Sequence, residues 1–335
     1  MRIYSIIMEN IETIQKCVFD HKIALFTIII IIALWGLRKY IKGAMYYGKR
    51  RIDGKTVIIT GGNTGIGKET AIDLAKRGAK VIIACRDMTK ANSAADDIKH
   101  LSGSKEIYVR QLDLASLKSV RKFAENIKKS EKKIDILVNN AGVMACPYGK
   151  TEDGFEMQFG VNHLGHFLLT NLLLDLIKKS APSRIINVSS IAHVFTGPLD
   201  FDDIAKREKS YSESRAYSQS KLCNILFTKE LASRLTGTGV TTYSLHPGSI
   251  NTELARHMRA KVKFIMEALY FIITFFIKTP YEGAQTNIYC AVEESLDNET
   301  GKYYCDCAEA TPTKPALDVG AAKKLWELSE KLVEL

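Results

Sequence analysis

Tyr217 and Lys221 stand four positions apart in Tyr217-Ser218-Gln219-Ser220-Lys221, so on a helix the phenol and the ammonium share one face. A tyrosine titrating near pH ~10 is a weak acid at neutrality, but a lysine about 4 Å away in an effective dielectric of about 20 favours the phenolate by up to roughly 4 kcal/mol. Such a pair can pass a proton to or from a substrate oxygen. On its own this spacing is common on exposed helices, and its meaning depends on the segments before it. The run Thr60-Gly61-Gly62-Asn63-Thr64-Gly65-Ile66-Gly67 falls where a β-branched stretch gives way to an amphipathic one. Glycine there lets the backbone turn sharply and approach a pyrophosphate at the N-terminus of the following helix, which makes the run a candidate dinucleotide loop. Where the second strand ends, an acidic residue ordinarily receives a ribose 2′-hydroxyl, yet this chain has Cys85 and Arg86. A guanidinium there can clamp a 2′-phosphate, so the expected cofactor is NADP(H) rather than NAD. An exposed loop arginine is the competing reading, and the adjacent Asp87 runs against the clamp.

After Asp53-Gly54, β-branched runs at 56–60, 80–84, 107–111, 134–139, 184–189 and 241–246 alternate with amphipathic stretches such as 66–77, 116–128 and 155–179. A further strand is expected at 302–305. Strands alternating with helices imply an α/β fold with a doubly wound parallel sheet. No internal repeat, low-complexity tract or long linker divides residues 52–335, which are expected to form a single domain after an N-terminal segment of residues 1–51. Asn139-Asn140-Ala141-Gly142 closes the strand at 134–139.

Residues 23–37, IALFTIIIIIALWGL, carry no charge and reach roughly 22 Å as a helix. Lys22, Arg38 and Lys39 can snorkel to headgroups, and Trp35 and Tyr40 suit the interface, so this segment is expected to anchor the chain in membrane lipid rather than act as a cleaved signal. Basic residues are denser after it (Arg38, Lys39, Lys42, Lys49, Arg50 and Arg51) than before it (Lys16 and Lys22), which places the following domain in the cytosol. Of the formal net charge of +10, +6 lies in residues 1–51; the rest is too thinly spread for a phosphate-tracking surface, so no nucleic-acid partner is expected. The seven cysteines show no paired spacing and are read as free thiols, and no metal site is expected, Cys305 and Cys307 included. The run 262–277, VKFIMEALYFIITFFI, is too short in its uncharged part to span a bilayer and is expected to line an apolar pocket or rest on lipid.

With LDL at 112–114, NNAG at 139–142, VNHLG at 161–165, NVSS at 187–190 and HPGSINT at 246–252 in register with TGGNTGIG and YSQSK, the chain resembles the short-chain dehydrogenase/reductase superfamily over nearly all of residues 52–335. The resemblance implies a Rossmann-like domain and a catalytic set of Asn162, Ser190, Tyr217 and Lys221. In that set Tyr217 is the proton donor assisted by Lys221, Ser190 holds the reacting oxygen, and Asn162 supports a lysine-linked water relay. It further implies that Gly61, Asn63, Thr64, Gly65, Ile66, Gly67, Asn140, Ala141 and Gly142 cradle the cofactor, with Asp113 at the adenine beside Leu114. Pro247, Gly248 and Thr252 would touch the same cofactor, Thr252 at its nicotinamide amide. The interval from Ser190 to Tyr217 is longer than is usual in the superfamily, and its insertion, AHVFTGPLDFDDIAKREKSYSES, is similar to that of membrane-anchored, NADP-dependent retinol dehydrogenases, as are ACRD, APSRIINVSS and FFIKTPYEGAQT. Residues 253–274 depart from that pattern. The implied activity is interconversion of retinal and retinol, chiefly NADPH-driven reduction of retinal, on the cytosolic side of the endoplasmic reticulum. Reduction of other lipid aldehydes or ketosteroids, and an idle NADP-binding membrane scaffold, are the alternatives. His163, His166 and His193 are read as pocket lining or satisfied polar groups rather than bases, and a homodimer is left open.

Overall fold

The computed structural model describes residues 2–205, 208, 209, 211–250 and 277–335. Thr252, residues 253–274 and all of the 262–277 run except Ile277 lie outside them. Two compact units divide between Gly43 and Ala44. The first is one helix, α1 (Arg2–Lys42). Its portion Lys16–Lys42, with a mean hydropathy of 2.2 over its most apolar 18 residues, is long and apolar enough to cross a membrane, longer than the uncharged core at 23–37 implied. Thr27 turns its hydroxyl back onto the carbonyl of Ile23, 2.8 Å away, which satisfies the one hydroxyl in that core.

The second unit is built on a single sheet of strands β1 (Thr56–Thr60), β2 (Lys80–Cys85), β3 (Ile107–Gln111), β4 (Ile136–Asn139), β5 (Ser183–Val188), β6 (Val240–His246), β7 (Lys302–Cys305) and β8 (Ala308–Glu309). Their order is β3-β2-β1-β4-β5-β6-β7-β8, every pairing parallel except the last. The order reverses between β1 and β4, the point at which open α/β sheets leave a crevice at the carboxyl ends of their strands. Helices cover both faces: α2 (Gly65–Lys76), α3 (Met88–Ser102), α4 (Leu117–Ser130), α5 (Met157–Phe159), α6 (Gly165–Lys179), α7 (Glu213–Arg234), α8 (Pro280–Val292), α9 (Lys314–Leu317) and α10 (Val319–Val333). Because successive strand side chains point to opposite faces, Ile58, Ile82, Leu137 and Ile185 enter the layer under α4, α6, α7 and α10, while Val57, Ile59, Val81 and Ile83 enter the layer under α2, α3 and α8.

Three departures from the sequence pattern have physical causes. The expected helix at 155–179 is interrupted by a π turn at Gly160–Leu164. Both flanking glycines are pressed against neighbours there: a Cβ on Gly160 would lie 2.4 Å from Thr151 Cγ2, and one on Gly165 would lie 2.7 Å from the carbonyl oxygen of Leu114. Strand β8 is too short for a hydrophobic period to register. Residues 44–51 pack on the sheet-bearing unit rather than joining the N-terminal segment, because Arg77 Nη1 donates to the carbonyls of Gly48 (2.8 Å) and Arg50 (2.9 Å), Gln285 Oε1 accepts the N–H of Tyr46 (3.1 Å), and Arg50 pairs with Asp297 at 2.8 Å.

Candidate active site

The glycine-rich loop leaves β1 and enters α2 with Gly61 at φ 68° and Gly65 at φ 57°, both left-handed. A Cβ on Gly67 would stand 2.5 Å from the carbonyl oxygen of Gly61 and 2.6 Å from Asn140 Nδ2, so only glycine lets helix and loop close this tightly. The N-cap of α2, Thr64, makes no side-chain capping bond, and the helix start faces a cleft of about 650 Å³. Gly61, Asn63, Thr64, Gly65, Ile66, Gly67, Arg86, Asp113, Leu114, Asn140, Ala141 and Gly142 all line that cleft. A helix N-terminus behind a glycine-rich loop fits the pyrophosphate of a dinucleotide. Pro247 and Gly248 are not among the lining residues; they follow β6, where Gly248 (φ 98°) lies against the side chain of Lys278.

One hydroxyl fastens this floor. Thr60 Oγ1 accepts the N–H of both Asn140 and Ala141 at 2.9 Å and lies 2.9 Å from His166 Nε2, while Asn140 Nδ2 donates to the carbonyl of Thr60 at 2.8 Å. At the cleft rim Arg86 is exposed. Asp87 lines the same rim, and one of its carboxylate oxygens caps α3 by accepting the N–H of Lys90 at 3.0 Å. Lys68 is drawn to Asp97, 2.5 Å away. Asp113 is oriented by accepting the N–H of Ala115 at 3.0 Å.

The cleft meets a second cluster at Gly142, where a Cβ would lie 3.1 Å from Asn162 Oδ1 and 3.7 Å from Lys221 Nζ. Ser190, two residues beyond β5, is in extended backbone and caps a 3-10 turn, Ile191–Phe195, through the N–H of Ala192. Its hydroxyl lies near enough to that of Tyr217 to pull the phenol's pKa slightly down. Tyr217 and Lys221 lie one turn apart on α7, which is buried all round from Ala216 to Thr228 because the sheet lies on one side and α10 on the other. Lys221 Nζ donates to the carbonyl of Val188 at 3.1 Å and sits 5.6 Å from the centre of the Tyr217 ring. Asn162, on the π turn, donates to Ser220 Oγ (2.9 Å) and to the carbonyl of Val143 (2.9 Å) and accepts the N–H of Val143 (2.8 Å). Ser220 in turn donates to the carbonyl of Tyr217 at 2.7 Å. The structure thus brings Asn162, Ser190, Tyr217 and Lys221 together at the carboxyl ends of β4 and β5.

Burial decides the electrostatics. Loss of water pushes the Tyr217 phenol up to about 12 against a smaller pull from Ser190, and pulls Lys221 down to about 8. The expected lowering of the phenol by the ammonium is therefore reversed: Lys221 engages Val188, and the cost of a phenolate away from water outweighs its field. The histidines are neutral and held. Thr60 donates to His166 Nε2, leaving His166 Nδ1–H for the carbonyl of Asn162 at 3.1 Å, and burial draws His166 down to about 4. His163 donates Nε2–H to Ser329 at 2.8 Å among Phe159, Phe167 and Phe227, and burial draws it down to about 3. His193 donates Nδ1–H to the carbonyl of Ser190 at 2.7 Å. Among the described residues no group of three His, Cys, Asp or Glu is placed to hold a metal. Sequence reasoning passed over Thr60 and Ser220, whose hydroxyls brace the loop and the turn that carries Tyr217; both lie inside motifs already recognised, but their partners are distant in the chain.

The family described as short chain dehydrogenase matches residues 55–200. Human retinol dehydrogenase 13 is 52% identical over 300 residues, covering 89% of this chain and 90% of its own, and mouse retinol dehydrogenase 11 is 50% identical over 299 residues, covering 89% and 92%. Among solved structures, an uncharacterized protein from Mycobacterium paratuberculosis superposes with a TM-score of 0.70 at 38% identity, covering 85% of this chain and 95% of its own. The Pseudomonas aeruginosa RhlG/NADP complex superposes with a TM-score of 0.60 at 25% identity, covering 78% and 97%. With a dinucleotide-type cleft that abuts Asn162 and Lys221 at Gly142, and about half of the aligned residues shared with the retinol dehydrogenases, the chain belongs to the short-chain dehydrogenase/reductase family, alongside those enzymes, and is an oxidoreductase acting on CH–OH groups.

Proposed function

We propose that the protein interconverts retinal and retinol with NADP(H), chiefly reducing retinal, from the cytosolic face of the endoplasmic reticulum membrane with α1 as its anchor. The observation that carries this reading is the junction at Gly142, where the wall of the dinucleotide cleft lies against Asn162 Oδ1 and Lys221 Nζ, one turn along α7 from Tyr217. The retinoid follows from the names of the relatives at about half identity. NADP(H) is favoured by Arg86, exposed at the cleft rim where the second strand ends. The basic excess after the apolar span favours a cytosolic catalytic unit.

When bound, the nicotinamide supplies the hydride. The chain's own residues handle the oxygen. Tyr217, which holds its proton firmly at neutral pH, donates it to the carbonyl oxygen as negative charge develops there. Ser190, beside the phenol, offers the same oxygen a hydrogen bond. Lys221 places a cation beside the phenol at the moment it becomes phenolate, and Asn162 holds the loop after Gly142 and the α7 backbone in register.

Membranes bearing the full chain are to be incubated with NADPH or NADH and a panel of retinals, alkenals and ketosteroids. NADPH-dependent formation of retinol is the expected result. Reduction of alkenals or ketosteroids without retinal, or preference for NADH, overturns the corresponding part of the proposal.

A further inference from the structure

The insertion between Ser190 and α7 has no part in the chemistry above, yet its far end is fastened to the active site by two side chains. Gln158 is completely buried, between Met157 on the cleft wall and the π turn that carries Asn162. Its amide is fully used: Oε1 accepts the N–H of Ala145 at 2.9 Å, and Nε2 gives one proton to Tyr211 Oη at 2.9 Å and the other to the carbonyl of Glu213 at 2.8 Å. Tyr211 passes its own proton to the carbonyl of Cys146 at 2.6 Å, and its ring meets that of Tyr148 edge-on at 5.3 Å. Ala145, the residue whose N–H Gln158 takes, is held at φ 46°, a left-handed conformation that a residue with a Cβ adopts only under constraint. The Glu213 carbonyl is also the acceptor that α-helical geometry assigns to the N–H of Tyr217. One amide and one phenol therefore join the loop after Gly142, the start of the Asn162 helix, the end of the insertion and the first turn of α7.

We propose that Gln158 and Tyr211 form a clasp that sets the placement of Tyr217 relative to the loop after Gly142, and so act as positioning residues for the proton transfer. The kinetic part of this inference rests on the function proposed above. Neither side chain touches the reacting oxygen; they act through the backbone of Glu213 and Ala145. A loosened first turn of α7 lets the phenol wander from the geometry that proton donation needs, which lowers kcat and leaves cofactor affinity alone because the glycine-rich cradle is not involved.

Tyr211→Phe tests this in the full chain in detergent micelles, since it removes both bonds of the phenol and keeps the ring against Tyr148. Expected are a fall of about tenfold in kcat for retinal, the order of one lost hydrogen bond, an unchanged KM for NADPH, and faster amide exchange at Ala145 and in the 213–217 turn. Gln158→Glu, which keeps an acceptor for Ala145 but loses both donors, is expected to show the same pattern more strongly. Tyr148→Phe, whose hydroxyl reaches Glu208 at the surface, is expected to change neither readout. Faster exchange in Tyr211→Phe with wild-type kcat reduces the clasp to a structural staple and overturns the proposal, as does unchanged exchange. If the unmodified enzyme reduces no carbonyl in the panel, the functional reading fails, while the exchange measurement, made without substrate, still decides whether the clasp holds α7.

Discussion

Lys221→Met is expected to produce a more stable protein that no longer turns over. The folded state holds the ammonium at about 8 against its ordinary 10.5, and that gap, at ~1.36 kcal/mol per pH unit, makes the buried charge a penalty of about 3 kcal/mol. A depressed lysine pKa means that the penalty is fully present below about pH 8, fades as pH rises and is gone above 10.5, where the side chain is neutral folded or unfolded. Methionine has similar length and no charge. Against the relief stand the lost bond to Val188 and the lost contact with the Tyr217 ring, each worth about 1 kcal/mol. The Val188 carbonyl is not orphaned, because Asn224 Nδ2 also donates to it, at 3.0 Å. The variant should therefore exceed the parent by about 1 kcal/mol at pH 7 and fall to parity or below near pH 10. Urea unfolding of the full chain in detergent without cofactor, followed by tryptophan fluorescence at both pH values, measures the difference directly, and groups that titrate alike in both proteins cancel. A variant less stable than the parent at pH 7, or a gap indifferent to pH, refutes the assignment of a strained buried ammonium.

Tyr217→Phe deletes the proton donor and almost no volume, so turnover should drop by at least ~100-fold with cofactor binding, read by nucleotide fluorescence, nearly intact; a near-normal rate would sink the mechanism. Arg86→Asp should shift the ratio of kcat/KM from NADPH toward NADH, and an unmodified protein that already prefers NADH shows the cofactor reasoning to be wrong. Asn298-Glu299-Thr300 is a glycosylation sequon with an exposed asparagine, whereas the sequon at Asn187 is buried in β5. With the catalytic unit in the cytosol, Asn298 stays unmodified and protease added to sealed microsomes digests the unit; a glycan there together with protection reverses the orientation.

Local signals carried much of the sheet. The strands at 56–60 and 107–111 fall where their β-branched runs placed them, and the glycine-rich run sits at the turn from β1 into α2, because a parallel strand and a glycine-rich turn both write themselves into adjacent residues. What depends on distant partners was not readable. The π turn at Gly160–Leu164 sits where Gly160 and Gly165 admit the close approach of Thr151 and Leu114. The direction of the Tyr217 shift follows from how deeply α7 is enclosed by α10, which no spacing between Tyr217 and Lys221 reveals. Residues 44–51 look like the tail of the anchor by charge alone, and only Arg77, Gln285 and Asp297 claim them for the second unit.

The Thr60 hydroxyl has a consequence for the order of events during synthesis. Its amide donors lie 80 and 81 positions further along the chain, and His166 lies 106 positions away. A nascent chain that has passed residue 100 already contains every glycine of the dinucleotide loop, yet lacks the groups that hold the floor of the cleft closed. Nicotinamide nucleotide can stabilise only a chain whose Asn140 and His166 have emerged and folded back, so abundant cofactor in the surrounding compartment selectively rescues polypeptides that have completed this closure and leaves shorter translation products exposed to degradation.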